Sequence, residues 1–102
     1  MYEGMSNKQT WQISMFIAND PDIYERTQKE AKKAVRSNKY YINAVSDLAD
    51  FIRAIFEEGR PHLEGIYGDL LTWTLEDTDW KQIAEEIIDL IMQDKDFDPQ
   101  KG

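Results

Sequence analysis

The sequence predicts an all-α protein, a compact bundle of four to five helices forming a single domain. Three observations carry that expectation. Apolar residues recur at three- and four-residue spacing along most of the chain, strict alternation is confined to one short stretch, and strong helix-boundary signals divide the remainder. With 102 residues, of which 41% are hydrophobic and 12% aromatic, the chain has enough apolar material for one core and little room for a second.

The first element is the ambiguous one. In Thr10-Trp11-Gln12-Ile13-Ser14-Met15-Phe16-Ile17, alternation of Trp11, Ile13, Met15 and Ile17 suits a strand. The pairs Trp11/Met15 and Ile13/Phe16/Ile17 suit a helix capped by Thr10, and a lone strand would lack a pairing partner, so a helix is expected. Asp20-Pro21-Asp22 then opens a second helix: Asp20 accepts hydrogen bonds from the first amides, Pro21 at the first helical position gives up no needed donor, and Asp22 favours the positive end of the dipole. That helix runs to about Arg36, with Ile23, Tyr24, Thr27, Ala31, Ala34 and Val35 inward.

Ser37-Asn38 breaks the pattern and leads into a third helix, about Tyr40 to Glu58, striped by Tyr41, Val45, Leu48, Ile52, Ile55 and Phe56. Gly59-Arg60-Pro61 ends it, because glycine tolerates a left-handed terminus and Pro61 disfavours helical geometry at Arg60. A shorter helix, about Gly65 to Leu75, places Ile66, Tyr67, Leu70, Leu71 and Trp73 on or near one side. Asp79-Trp80-Lys81-Gln82 has the spacing of a capping box and opens the last helix, with Trp80, Ile83, Ala84, Ile87, Ile88, Ile91 and Met92 inward. The resulting division is a flexible N-terminus at 1–9, a helical domain at 10–94 and a polar C-terminal tail at 95–102.

Charge is sorted by position within the net of −8. Met1 to Lys39 carries 7 Lys/Arg against 5 Asp/Glu, whereas Tyr40 to Gly102 carries 5 against 15. The acidic part repels nucleic acid and anionic membranes and attracts basic protein surfaces. Lys29, Lys32, Lys33, Arg36 and Lys39 fall at helical spacings, but an acidic remainder opposes a phosphate footprint, and pairing with the acidic half is the simpler expectation. Without cysteine there is no disulfide, thiolate nucleophile or Cys-held metal. No apolar run reaches membrane-spanning length and no leader-like stretch stands at the start, so the expected location is cytoplasmic, with no membrane contact.

Catalytic signals are sparse. His62, the sole histidine, follows Pro61 in an expected loop with no partner in the pattern, and reads as a solvated side chain. Asp94, Asp96 and Asp98 alternate like the start of a calcium loop, yet Pro99 stands where that loop needs glycine and no bidentate glutamate follows. Glu85, Glu86 and Asp89 include no Glu-x-x-His pair. Asp47, Asp50 and Asp69 are read as solvent-facing partners of helical cations such as Arg53. No enzyme activity, cofactor or metal is therefore expected. The candidate partner-binding residues are Glu76, Asp77, Asp79, Glu85, Glu86, Asp89, Asp94 and Asp96, a negative stripe suited to a basic protein surface.

The stretch Thr10-Trp11-Gln12-Ile13-Ser14-Met15-Phe16-Ile17-Ala18-Asn19-Asp20, followed by Tyr24, resembles the opening of small proteins of phages, plasmids and other mobile elements. Their pattern is roughly Thr-Trp-Asn-Val-x-Leu-Trp-Leu/Ile-x-Asn-Asp, then an acidic or glycine residue and a tyrosine. Gln12, Phe16 and Asp20-Pro21-Asp22-Ile23 depart from it. Gly65-Ile66-Tyr67-Gly68-Asp69-Leu70-Leu71 with Trp80-Lys81-Gln82-Ile83-Ala84 is similar to the later part of such proteins, and the two stretches cover under half of the chain. The resemblance implies a mobile-element setting, in which small acidic helical proteins commonly inhibit host defence, as anti-CRISPR and antirestriction proteins do. It also marks Trp11, Phe16, Tyr24, Tyr67 and Trp80 as core anchors. The expected role is a non-enzymatic inhibitor that binds a basic surface of a host nucleic-acid-handling complex. The alternative is a structural or oligomerising helical protein, a homodimer formed by surplus aromatics among Tyr40, Tyr41, Phe51, Trp73 and Phe97.

Overall fold

Five α-helices and no strand make up the computed structural model, which describes residues 4–100: α1 Lys8–Asn19, α2 Pro21–Ser37, α3 Tyr41–Glu58, α4 Gly65–Asp77 and α5 Trp80–Gln93. The ambiguous first segment is a helix, as its three- and four-residue spacing predicts. Its cap, however, is Asn7: the Asn7 side chain accepts from the Thr10 amide at 2.8 Å. Thr10 lies fully buried instead.

The Asp20 signal acts as its chemistry dictates. Asp20 Oδ1 accepts from the amides of Asp22 and Ile23, both at 3.1 Å, with Pro21 at the first position of α2. Asn38 closes α2 by donating to the Ala34 carbonyl at 2.8 Å and reaches on to Asp47 at 2.9 Å, tying the start of α3 to the end of α2. Gly59 ends α3 in right-handed geometry, φ −87°, so the expected left-handed terminus is not formed there. The left-handed residue is Gly65 at the start of α4, φ +65°, where a Cβ would be strained. Gly68 serves a second need: a side chain there would run into the Leu63 carbonyl, which lies against α4 at that point.

Helices α2, α3 and α5 form the central packing unit, with α1 laid against α2 and α4 held mainly by α1. Leu48 and Ile52 of α3, Ala31 of α2, and Ile83, Ala84 and Ile88 of α5 are essentially inaccessible. A run of rings joins the layers: Phe16 meets Phe56 edge-on at 5.9 Å, and Phe56 meets Trp80 at 5.8 Å. Of the five aromatic anchors implied by resemblance, Trp80 alone is buried; Trp11 is half-buried, and Phe16, Tyr24 and Tyr67 are exposed. Met92, expected inward, points to solvent, because it lies at the edge of the stripe whose buried members are Trp80, Ile83, Ala84, Ile88 and Ile91.

Both chain ends described here are anchored. Met5 is buried, and Ser6 and Gly4 are held by the Gln82 side chain: the Ser6 amide donates to Gln82 Oε1 at 2.7 Å, and Gln82 Nε2 donates to the Gly4 carbonyl at 3.3 Å. The expected free segment 1–9 is thus docked from Gly4 onward. At the other end Phe97 packs on the core under the Arg36 guanidinium, 4.8 Å from its ring centre, and Arg36 Nε donates to the Asp98 carbonyl. The polar tail therefore folds back through one aromatic side chain and one cation.

Candidate protein-binding face

The corner between α4 and α5 fixes where the acidic residues stand. Thr78 Oγ1 donates to the Thr74 carbonyl at 2.8 Å, and Trp80 Nε1 donates to the Leu75 carbonyl at 3.1 Å. Asp79 caps α5 by accepting from the Gln82 amide at 3.0 Å. Only that half of the capping box forms. The Gln82 side chain goes to Ser6, and the Asp79 amide donates to the buried Thr10 hydroxyl at 2.8 Å. Asn7 Nδ2 completes the corner by donating to the Asp77 carbonyl at 2.7 Å. Asp79 is consequently engaged inside the chain, its second oxygen accepting from Ser6 Oγ at 3.1 Å.

Beyond the corner, helical geometry sorts α5 into two sides. Trp80, Ile83, Ala84, Ile88 and Ile91 are buried, while Glu85, Glu86 and Asp89 are exposed within about one turn on the opposite side. Among the described residues the ion pairs are Arg26–Asp22 at 3.9 Å, Arg53–Glu57 at 3.9 Å and Arg60–Glu57 at 3.7 Å. None reaches α5. The basic strip of α2 does not close over this face: Arg36 is spent on Phe97 and Asp98, Lys39 stands 5.6 Å over the Tyr40 ring, and Lys32 lines a groove also lined by Glu86 and Asp94. The pairing of the α2 cations with the acidic half does not occur at ion-pair distance, and Arg53 binds Glu57 instead of Asp47, Asp50 or Asp69.

Asp89 has one internal partner, the Tyr41 hydroxyl, which donates to Oδ1 at 2.9 Å. The Tyr41 pKa is pushed up to about 12, first by removal of the phenol from water, then by this hydrogen bond and the negative charges of Asp89 and Glu85. The neutral phenol keeps Asp89 in place without cancelling its charge. Glu76 and Asp77 are exposed at the end of α4, and Asp94 and Asp96 are exposed after α5, where Asp94 Oδ1 accepts from the Asp96 amide at 2.9 Å. Seven of the eight acidic residues thus form three exposed groups and not one stripe, and Asp79 is engaged at the corner. The α5 trio is the coherent one.

His62 is exposed in the 59–64 loop, and among the described residues no cluster of three or more His, Asp or Glu is placed to hold a metal ion. No helix of the described residues is long and apolar enough to cross a membrane.

The largest departure from expectation is α4. Its sequence places Leu71 and Leu75 toward the protein and turns Ile66, Tyr67, Leu70 and Trp73 outward, where all four are about half exposed or more. The expected grouping of Ile66, Tyr67, Leu70, Leu71 and Trp73 on or near one side holds for the four exposed residues and not for Leu71, which packs on the core; because α4 is apolar on both sides, spacing alone does not select the buried one. Packing against α1 selects it. The five aromatics expected at a homodimer contact are also divided: Phe51 and Phe97 pack on the core, Tyr40 and Tyr41 lie at the start of α3, and Trp73 stands on α4. Comparison with protein-family models, curated proteins and solved structures gives no match to this chain.

Proposed function

We propose that this protein is a non-enzymatic, protein-binding inhibitor that docks the outer face of α5 on a basic surface of a host nucleic-acid-handling complex. The observation that supports this reading is the exposed trio Glu85, Glu86 and Asp89, with no Lys or Arg within 4.0 Å of it among the described residues. Carboxylates spaced along one helix face give a local field that speeds encounter with a cationic groove and opposes encounter with nucleic acid itself. The mobile-element resemblance supplies the setting, inhibition of a host defence system of the kind that anti-CRISPR or antirestriction proteins act on. Glu76, Asp77, Asp94 and Asp96 extend the negative field at the two ends of α5, and Asp79 contributes by holding the helix start.

The test is a charge reversal. Glu85→Lys/Glu86→Lys/Asp89→Lys is expected to keep the helical circular dichroism and lose co-purification with defence complexes, and the wild-type contact is expected to weaken as salt rises above about 0.15 M, where the screening length is about 8 Å. A partner retained at full strength by the triple variant, or one insensitive to salt, would count against the α5 face.

A further inference from the structure

We infer that the outward face of α4 is the contact through which two copies of this chain pair, with the two α4 helices antiparallel about a two-fold axis near Leu70. This goes beyond the α5 reading and does not depend on it. The first observation is the pattern itself. Ile66, Leu70 and Trp73 follow i, i+4, i+7, a seam at the spacing by which one helix packs on another, and Tyr67 flanks it. An exposed helix surface is normally polar. Here the exposures are 65% for Ile66, 71% for Tyr67, 47% for Leu70 and 55% for Trp73.

Area comes next. Those four side chains leave on the order of 500 Å² of largely apolar surface in water, at the upper end of what a monomer of this size exposes in one patch. A standard interface takes about 800 Å² per partner, so a seam of this size with its polar margin matches one helix-to-helix contact.

The helix dipole then favours the antiparallel orientation for a second copy. The arrangement along α4 opposes its own dipole. There is no acid in the first turn and no side-chain hydrogen bond from Glu64 at the cap, whereas Glu76 and Asp77 crowd the C-terminal end with no basic residue in the last turn. An antiparallel copy brings the Glu76/Asp77 end of each helix to the uncapped amide end of the other. It also sets Trp73 against Ile66 across the axis, a large side chain against a smaller one, on both halves of the contact as two-fold symmetry requires. Against pairing stand the two Asp69 carboxylates near the axis, Glu64 beside the partner's Glu76/Asp77 end, and the net −8 on each chain. Salt screens these repulsions and the weaker helix-end attraction alike, and because the like charges of the two chains outweigh the attraction, this contact tightens where docking through α5 loosens.

Sedimentation equilibrium of the full chain, from about 5 to 500 µM at about 0.15 and 0.5 M salt, tests the inference. The expected result is a mass of twice 12.0 kDa at the upper concentrations, a dissociation constant at least several-fold tighter at high salt, and tightening again in Asp69→Asn. Leu70→Glu and Trp73→Glu replace exposed side chains and are expected to keep the helical circular dichroism while returning the chain to monomer. A monomer throughout the range overturns the inference, as does a dimer that persists in Leu70→Glu and Trp73→Glu or that the triple α5 reversal abolishes. Loss of partner co-purification in the α5 variant with the dimer intact affects the α5 reading alone.

Discussion

Helices α4 and α5 are neighbours in sequence, similar in length and both rich in large apolar residues, yet they meet their surroundings in opposite ways. In α5 the apolar positions form one stripe, and burying it leaves the carboxylates a side of their own. In α4 the apolar residues go all round, and burial of Leu71 and Leu75 leaves Ile66, Leu70 and Trp73 in water. A segregated pattern specifies one orientation; an unsegregated one accepts two, and packing against α1 decides between them. Both helices join at the hydrogen-bonded corner held by Thr10, Asn7 and Asp79, which is why α4 stays fixed with so little of its surface covered.

The contrast is sharpest in stability. Ile88→Ala in α5 removes a fully inaccessible side chain and is expected to cost about 2–5 kcal/mol, whereas Leu70→Ala in α4 is expected to cost under about 0.5 kcal/mol at concentrations where the chain is monomeric. Chemical denaturation of the two variants measures this directly, and similar losses would show that the α4 face is covered within one chain.

The shared corner can be loosened next. Thr10→Val keeps the shape but removes the hydroxyl that accepts from the Asp79 amide, leaving a part-buried N–H without its partner. The expected loss is about 1–3 kcal/mol, with an unchanged denaturant slope. Hydrogen exchange of the Asp79 and Gln82 amides should accelerate with it.

A smaller effect of opposite sign is expected on the core side. The Thr27 hydroxyl in α2 is buried without a hydrogen-bond partner, so Thr27→Val should raise stability by about 1 kcal/mol, seen as a higher denaturation midpoint. The last effect is the smallest and belongs to the acidic side of α5. Tyr41 has its pKa raised to about 12 in the folded chain against about 10 when unfolded, so its contribution is complete below pH 10 and is lost as pH climbs from 10 to 12. Wild type should therefore lose more stability than Tyr41→Phe over that interval, and parallel curves would show that Asp89 does not depend on the phenol.

Much of this was legible in the residues because the signals are local. Asp20-Pro21-Asp22 starts α2 through bonds to amides two and three positions away, and the isoleucines of α5 declare their inner side by spacing alone. The positions that misled are those whose partner is distant in sequence. Thr10 looked like a cap because its chemistry fits one; its actual bond is to Asp79, 69 residues on. Gln82 matched the second half of a capping box, but Ser6 competes for it and wins. Phe97 sat in a polar stretch, and only the return of the chain past Arg36 shows it packed.

The sequence by itself determined that this is an all-α chain, where α2 to α5 begin, and that the carboxylates of α5 lie opposite its core, since hydrogen bonds and side-chain spacing within a few residues are enough for each. Only the tertiary structure decided which side of α4 faces water, that both ends of the described chain are anchored, and that the cations of α2 leave the α5 acids unpaired. Those outcomes depend on which surfaces reach one another once the helices pack, and residues six dozen positions apart carry no mark of it in their order.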